Sequence, residues 1–214
     1  MTDVFKEIDE ELRRERLEQV WRKHGRLIIA MAAAAVVAAA GYAGWQKYHQ
    51  SQMLAVSDRY ALAMAAADPA KGDTAAAEQS LAAIAGENSG YRGLAALEAA
   101  AVAARTDPGG AAKLFDALAA DTNVAPELRD LAHLLKVMQL LDSGDPAALS
   151  GELAPLSADD NPWRFSAREL DALLAIRTGD TARATDLLTK LSDDATTPAP
   201  IRARAAELIA ALKG

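Results

Sequence analysis

The 214-residue sequence contains no cysteine and only three histidines. Without cysteine the chain has no disulfide and no thiolate metal site. The three histidines, His24, His49 and His133, are far apart in the sequence, so we predict structural roles for them. The chain also lacks a G-x-S-x-G elbow, a P-loop and an H-E-x-x-H motif. We therefore predict a protein that is not an enzyme and that uses no metal, no cofactor and no small-molecule substrate.

Charge is absent from a stretch of 20 residues between Arg26 and Lys47. An α-helix of this length covers the hydrocarbon core of a bilayer, roughly 30 Å. We predict a transmembrane helix over 27–48, with Tyr42 and Trp45 at the end where an aromatic belt lies. Most of its residues are alanine, so insertion is permitted rather than strongly driven. The alternative is a buried helix of a globular domain, but such helices usually show a polar stripe, which is missing here.

Lysine and arginine are concentrated before the predicted span. Seven precede it, whereas Lys47 is followed by no other until Arg59. The positive-inside rule then predicts a single-pass protein of the bacterial inner membrane, with a cytoplasmic segment 1–26 and a periplasmic domain 49–214. A cleaved signal peptide is the alternative, with Ala38-Ala39-Ala40 as its cleavage motif. We favour an uncleaved anchor because 26 residues are long for the n-region of a signal peptide.

The first 26 residues carry seven basic and seven acidic side chains, so the net charge of −7 comes entirely from the rest of the chain. An acidic domain binds nucleic acid poorly, and we predict no nucleic-acid partner. Residues 3–24 have apolar residues at helical spacing and acidic-to-basic i,i+4 pairs, which predict a helix that ends at Gly25. This helix is either simply solvated or a docking segment for a cytosolic partner.

Beyond residue 50 the sequence repeats in two registers. In the first, an aspartate predicted to cap a helix recurs at intervals of 34, 38 and 35 residues, and large apolar residues follow it eight and eleven positions later. In the second, a bulky apolar anchor is followed by arginine and, four positions after the anchor, by alanine. The cap aspartates are Asp73, Asp107, Asp145 and Asp180. The anchors and their alanines are Tyr91 with Ala95, Leu128 with Ala132, Trp163 with Ala167, and Ile201 with Ala205.

Two helices in each repeat predict an array of helical hairpins. The period and the residues resemble tetratricopeptide repeats, in which the alanines of the anchor helices mark close helix crossings. Ala77, Ala111 and Ala184 resemble the small residue of the second helix, and Leu149 departs from it. The resemblance implies an all-α fold, in which a charged N-terminal helix and one transmembrane helix precede a tetratricopeptide-like α-solenoid. Residues 50–67 also look helical, and either continue the membrane helix or form the first half-hairpin.

The order of segments along the whole chain resembles the bacterial YfgM-like family. The shared features are the charged N-terminal segment, His24-Gly25 before the span, Gly44-Trp45 at its exit, Tyr60, and the run from Tyr91 to Glu98. Members of that family are ancillary subunits of the SecYEG translocon with a periplasmic tetratricopeptide-like domain. The resemblance implies three kinds of protein partner: the translocon, a membrane-anchored periplasmic chaperone, and newly exported clients. The alternative function is a structural scaffold for envelope or cell-division assembly that binds no client.

The candidate protein-binding residues are the arginines that directly follow the anchors. Tetratricopeptide arrays have an extended concave surface lined by the first helix of each hairpin, where guanidinium groups would bind a carboxylate or an acidic segment. Alternatively, each arginine pairs with a carboxylate inside the array and stabilises its packing. Tyr91 and Trp163 have a similar pair of interpretations, as core residues or as ligand platforms. The four arginines are Arg92, Arg129, Arg164 and Arg202.

The positive-inside pattern predicts the topology directly. A reporter enzyme that is active only outside the cytoplasm should be active when fused to the C-terminus, because the span exports everything after it. The same reporter fused after Lys23, before the span, should be inactive. Enzyme assays on intact cells measure both fusions, and an inactive C-terminal fusion together with an active fusion after Lys23 would overturn the predicted orientation.

Overall fold

A computed structural model describes the backbone of residues 2–70 and 72–213. Side-chain surroundings are described for residues 21–27, 29–70 and 72–213. All regular elements in these residues are helical, which confirms the predicted all-α class. The helices are α1 (Thr2–Ala66), α2 (Thr74–Ala85), α3 (Arg92–Ala103), α4 (Pro108–Ala120), α5 (Pro126–Leu140), α6 (Pro146–Leu153), α7 (Arg164–Arg177), α8 (Thr181–Asp193) and α9 (Ala199–Lys213), with a 3₁₀ turn (Pro155–Ser157) after α6.

The chain divides into two structural units, Met1–Leu54 and Ala55–Gly214. The first unit consists of helix α1 up to Leu54. Among the described residues, one stretch of helix is long and apolar enough to cross a membrane, and it lies within Trp21–Ala66. Its apolar side chains are exposed, as a helix in contact with lipid requires. The ring of Trp45 lies 5.5 Å from that of His49, close to the end of the predicted span.

The expected helix end at Gly25 is wrong, because α1 continues through this residue without a break. A glycine inside a helix costs only about 1 kcal/mol relative to alanine, and no proline follows it to stop the helix. The ring of Trp21, one turn earlier, also covers Gly25, since a β-carbon at Gly25 would lie 3.5 Å from it. The composition around His24-Gly25 therefore marks a change from polar to apolar sequence and not a turn.

The second unit begins with the last three turns of α1. Val56, Ala63 and Ala67 are buried there against residues of α2 and α3, including Leu81 and Val102. The predicted helix over 50–67 is thus confirmed, and its part from Ala55 is the first helix of the array. The rings of Tyr60 and Tyr91 pack against this cluster, and their centroids are 5.1 Å apart.

The four cap aspartates begin the even-numbered helices as predicted. The carboxylate of Asp73 accepts hydrogen bonds of 3.1 Å from two backbone N–H groups in the first turn of α2. The carboxylates of Asp107, Asp145 and Asp180 each accept one such bond at α4, α6 and α8. Each cap satisfies a donor that the helix itself leaves unpaired, which contributes about 1 kcal/mol. The aspartates therefore define where each even-numbered helix starts.

Small residues lie where neighbouring helices cross, and large apolar residues fill the space beside them. All the predicted alanines have no exposed surface, and Leu149, which replaces alanine in the third repeat, is 3% exposed. These alanines are Ala77, Ala95, Ala111, Ala132, Ala167, Ala184 and Ala205. The large residues eight and eleven positions after the caps are buried too. They are Leu81, Ile84, Phe115, Leu118, Leu153, Leu156, Leu188 and Leu191. The described residues form four clusters in succession, each made by consecutive helices.

The third repeat differs from the expected pattern. The step from Leu153 to Leu156 was predicted to lie on one helix, but α6 ends at Leu153 and Leu156 lies in the 3₁₀ turn. Pro155 has no N–H group to continue the helix, which explains the early end. Leu156 is still buried, because the tighter turn points it into the same cluster as Leu170 of α7.

The crossing alanines predict a strong effect of side-chain size. Replacement of Ala205 by leucine should destabilise the array by about 1–3 kcal/mol, because the added atoms have no space between α8 and α9. Ala206→Leu, at the exposed next position of α9, is the matched control and should change stability by less than about 0.5 kcal/mol. Chemical denaturation followed by circular dichroism measures both. Equal effects would show that close packing at Ala205 is not required.

Candidate functional site

The second unit carries a series of equivalent grooves along its surface. Each odd-numbered helix from α3 to α7 packs between two even-numbered helices. Where α3 lies between α2 and α4, a groove of about 420 Å³ remains open. Its apolar lining comes from Ala96 and Ala99 of α3 and from Leu114 and Leu118 of α4, and Leu114 is 42% exposed. This groove, called the α3 groove below, is mostly apolar, and its two charged lining residues are Arg92 and Asp121.

A second groove of about 580 Å³ occurs in the equivalent place around α7. Arg168 and Asp171 replace Ala96 and Ala99, five and eight positions after their anchors. Lys190 of α8 replaces Ala117 of α4. Two further positions correspond in the same way, since Leu187 and Asp194 occupy the places of Leu114 and Asp121. The same backbone geometry therefore presents a charged groove, called the α7 groove, in the C-terminal half of the array.

The position between these two grooves is occupied by an ion-pair cluster. Lys136, eight positions after its anchor, lies between Asp116 of α4 and Glu152 of α6. Its Nζ atom is 2.7 Å from Asp116 Oδ1 and 2.9 Å from Glu152 Oε1. Burial lowers the pKa of Lys136, but the hydrogen bonds and the charges of both carboxylates outweigh burial and raise it above its usual value. Lys136 therefore stays charged and connects α5 to both neighbouring even-numbered helices.

A further apolar groove of about 320 Å³ lies between α2 and the part of α1 after Ala55. Leu62, Ala63 and Ile84 contribute to its lining, and Leu62 is 71% exposed. Arg59 lies at this groove, and its guanidinium group donates two hydrogen bonds of 2.7 Å to the carboxylate of Glu87. These bonds lower the pKa of Glu87. Like the α3 groove, this α2 groove is apolar and its nearby cation is already neutralised.

Of the four predicted arginines, the α3 groove contains Arg92. Its Nε and one terminal nitrogen lie 2.9 and 2.8 Å from Asp121 Oδ2. Arg164 lies over the ring of Phe165, at 4.1 Å from the centroid, and donates to a backbone carbonyl of the preceding loop. Arg202 likewise donates to carbonyls of the loop before α9. Arg129 is half-buried, and its Nε has no hydrogen-bond partner in the described part of the chain.

The polar contacts of Arg92, Arg164 and Arg202 therefore lie inside the array. A role for them in binding a partner stays a prediction. The anchors Tyr91 and Trp163 are half-buried and also bond internally. The Tyr91 hydroxyl group is 3.0 Å from Ser57 Oγ, and Trp163 Nε1 donates to the carbonyl of Glu127 at 3.0 Å.

Two repeated features contribute to these grooves and were missing from the sequence-based prediction. An acidic residue stands fourteen positions after every cap aspartate, and arginines lie beside these acids in the folded array. The acids are Glu87, Asp121, Asp159 and Asp194. In addition, Arg105 and Arg177, each fourteen positions after an anchor, donate to carbonyls at the ends of earlier helices, those of Ala67, Leu141 and Gly144. Both features are visible as repeats once the caps and anchors are aligned.

The described residues contain no group of three or more histidine, aspartate and glutamate side chains placed to hold a metal ion. Many of their carboxylates lie at helix caps or in ion pairs. The Asp194 carboxylate illustrates this, since hydrogen bonds from Thr196 and the charges of Arg164 and Arg168 lower its pKa.

The surroundings of Asp121 predict a pH dependence of stability. Hydrogen bonds from Asn123, and then the bond and charge of Arg92, lower the pKa of Asp121. A carboxylate whose pKa is lower in the folded state stabilises the fold above its ordinary pKa and loses this effect as pH falls. Asp121→Asn should therefore lower the melting temperature at pH 7 and should have little effect at about pH 2. Asp160→Asn, at an exposed position, is the control. A destabilisation by Asp121→Asn that is the same at both pH values would contradict the ion pair.

The family of the chain follows from comparison with known proteins. The model of the tetratricopeptide repeat-like domain family matches residues 18–186, which is most of the chain. Separate comparisons with curated proteins and with solved structures gave no significant match. Domains of this family are protein-interaction modules that are typically not catalytic. The repeated caps, the crossing alanines and the family match agree, and the chain belongs to the tetratricopeptide repeat-like domain family.

Proposed function

We propose that the protein is a membrane-anchored binding module that assists newly exported proteins beside the Sec translocon. The proposed arrangement has residues 1–26 in the cytoplasm, 27–48 in the inner membrane and 49–214 in the periplasm. The apolar helix near the N-terminus, the excess of lysine and arginine before it, and the tetratricopeptide repeat-like domain support this proposal. The resemblance to YfgM-like proteins supports the more specific partners: SecYEG, a membrane-anchored periplasmic chaperone and exported clients.

The observation that carries the proposal is the pair of apolar grooves in the N-terminal half of the array. The α2 and α3 grooves, of about 320 and 420 Å³, are lined mostly by alanine, leucine and isoleucine. Volumes of this size accept bulky side chains. Because Arg59 and Arg92 are already paired with Glu87 and Asp121, neither groove offers a free cation for a charged ligand. The grooves therefore fit apolar side chains of a polypeptide.

A newly exported chain has this chemistry, because an unfolded polypeptide exposes apolar side chains that are buried later. Transient binding would shield such side chains from aggregation during folding. A membrane anchor would increase the effective concentration of the grooves near the site of export. The weakly apolar, alanine-rich span is also suited to contact with another membrane helix, since small residues allow close helix approach.

The proposal predicts which groove contacts an exported chain. A photo-crosslinking amino acid at position 114, in the α3 groove, should capture nascent exported chains in membranes that contain SecYEG. The same amino acid at position 187, the equivalent place in the charged α7 groove, is the matched control and should capture them less. Leu114→Asp, with the crosslinker at position 96 of the same groove, should reduce capture about tenfold through the loss of apolar contact.

Measurement of melting temperature checks that Leu114→Asp leaves the fold intact, as expected for an exposed side chain. Mass spectrometry identifies the captured proteins. Equal capture at positions 114 and 187 would contradict selective binding by the apolar groove. Recovery of envelope or cell-division scaffold proteins, without translocon subunits or exported chains, would instead support the scaffold function.

A further inference from the structure

The α2 and α3 grooves are the same site in two successive repeats. Arg59 and Glu87 at the first groove correspond to Arg92 and Asp121 at the second, and the hydrogen bonds within the two pairs are 2.7 and 2.9 Å long. The apolar lining corresponds position by position as well. The matching residues are Ala63 with Ala96, Ala66 with Ala99, Ala83 with Ala117, and Ile84 with Leu118.

Each groove also has one exposed leucine beside its alanines, although the two leucines come from different helices. In the α3 groove this residue is Leu114 of α4, which is 42% exposed. Ser80 occupies the equivalent place in α2, and there the exposed leucine is Leu62 of α1, which is 71% exposed. Both grooves therefore offer a small apolar depression and a protruding leucine, between which a single bulky apolar side chain fits.

The series of apolar grooves ends at α5. Here His133 and Lys136 occupy the positions of Ala96 and Ala99. The Nζ atom of Lys136 lies 2.7 Å from Asp116 and 2.9 Å from Glu152, so an ion-pair cluster takes the place of an apolar depression. Among the described residues, the array thus presents this apolar site twice, in adjacent repeats.

Helix packing sets the separation of the two grooves. Because the grooves are equivalent places one repeat apart, they are as far from each other as α2 is from α4, and α3 packs against both of these helices. Axes of packed helices lie about 8–10 Å apart, so α2 and α4 are separated by roughly one to two such distances, about 8–20 Å. An extended polypeptide advances about 3.3 Å per residue. Side chains about three to six residues apart in such a chain therefore reach both grooves at once.

We propose that the α2 and α3 grooves form one bipartite site, which binds two bulky apolar side chains of a single extended polypeptide. The side chains are about three to six residues apart in the bound segment. Once the first side chain is bound, the second is held close to its own groove, which raises the overall affinity without any new kind of contact. The inference rests on the proposed function, because it takes the partner to be an unfolded chain. It adds that the spacing of apolar side chains, and not only their number, selects the segment that binds.

Peptides of defined sequence test the spacing on the full chain in lipid nanodiscs. Fluorescence anisotropy measures the binding of labelled peptides of serine, glycine and asparagine that contain no leucine, one leucine, or two leucines at increasing separation. Empty nanodiscs give the contribution of the lipid. Two leucines about three to six residues apart should bind about tenfold more tightly than one leucine. Equal affinity at every separation would show that apolar content alone decides binding, and would overturn the proposal.

A matched pair of variants tests whether both grooves take part. Ala83 and Ala117 are equivalent exposed positions, and the α7 groove has Lys190 in this place, so the fold accepts lysine there. Ala83→Lys and Ala117→Lys should each weaken the best two-leucine peptide about tenfold. Each should weaken a one-leucine peptide only about twofold, because that peptide still has the other groove. Ala120→Lys, at an exposed position outside the grooves, is the control, and a two-leucine peptide unaffected by either groove variant would contradict the bipartite site.

The outcomes distinguish this inference from the proposed function. A preference for spaced leucines, without capture of exported chains in membranes, would leave the bipartite site in place and remove the proposed function. Capture of exported chains without a spacing preference would do the reverse. A second copy of the chain is the alternative occupant of the α2 groove. Light scattering should give the same mass for the unaltered protein and Ala83→Lys, and a dimer that this substitution separates would overturn the bipartite site.

Discussion

Close contact between helices at alanine is the constraint on which the array depends. At seven crossings, from Ala77 in α2 to Ala205 in α9, a side chain of a single carbon has no exposed surface, so neighbouring helices approach to the distance that their backbones allow. Bulky residues such as Phe115 and Leu153 then fill the space beside each crossing, and a fully buried leucine or phenylalanine contributes about 1.5–3 kcal/mol. Because the clusters are local, stability accumulates along the chain from neighbour to neighbour, as in other repeat proteins. Close helix packing at alanine, together with these local clusters, allows an alanine-rich sequence with few aromatic residues to form a regular fold.

The positions of the surface grooves follow from the same helix crossings. An odd-numbered helix that nests between two even-numbered helices leaves a depression at the positions five and eight residues after its anchor, and the side chains at those positions decide its chemistry. Around α3 they are Ala96 and Ala99, which leave an open apolar groove, whereas around α7 they are Arg168 and Asp171. Around α5 they are His133 and Lys136, whose contacts with Glu152 connect helices rather than expose a surface. A single backbone motif thus supplies a mostly apolar groove, an internal connection and a charged groove in succession.

Much of the fold was predictable because it rests on local rules. Asp73, Asp107, Asp145 and Asp180 were identified as caps, and each accepts a hydrogen bond from the first turn of its helix. The alanines of both registers and the large residues eight and eleven positions after the caps were identified as packing positions and are buried, whereas the anchors Tyr91, Leu128 and Trp163 are half-buried. Two local expectations were wrong. Gly25 does not end a helix, since one glycine is a weak signal beside a long run of good helix formers. Leu156 leaves the helix of its repeat because Pro155 removes a backbone donor.

By itself, the sequence determined the all-α class, the starts of the even-numbered helices, the repeat and the presence of a helix able to span a membrane. These depend on short-range periodicity, on capping by neighbouring residues and on the length of an uncharged run, all of which are visible within a few turns of chain. Only the tertiary structure decided the partners of the arginines and the contents of the grooves. Arg92 donates a hydrogen bond to Asp121, and Arg59 donates one to Glu87, although the partners are 29 and 28 residues apart in the sequence. Such residues come into contact only when neighbouring hairpins stack. That stacking depends on many alanine contacts between neighbouring helices, so no single repeat shows on its own which residues will share a surface.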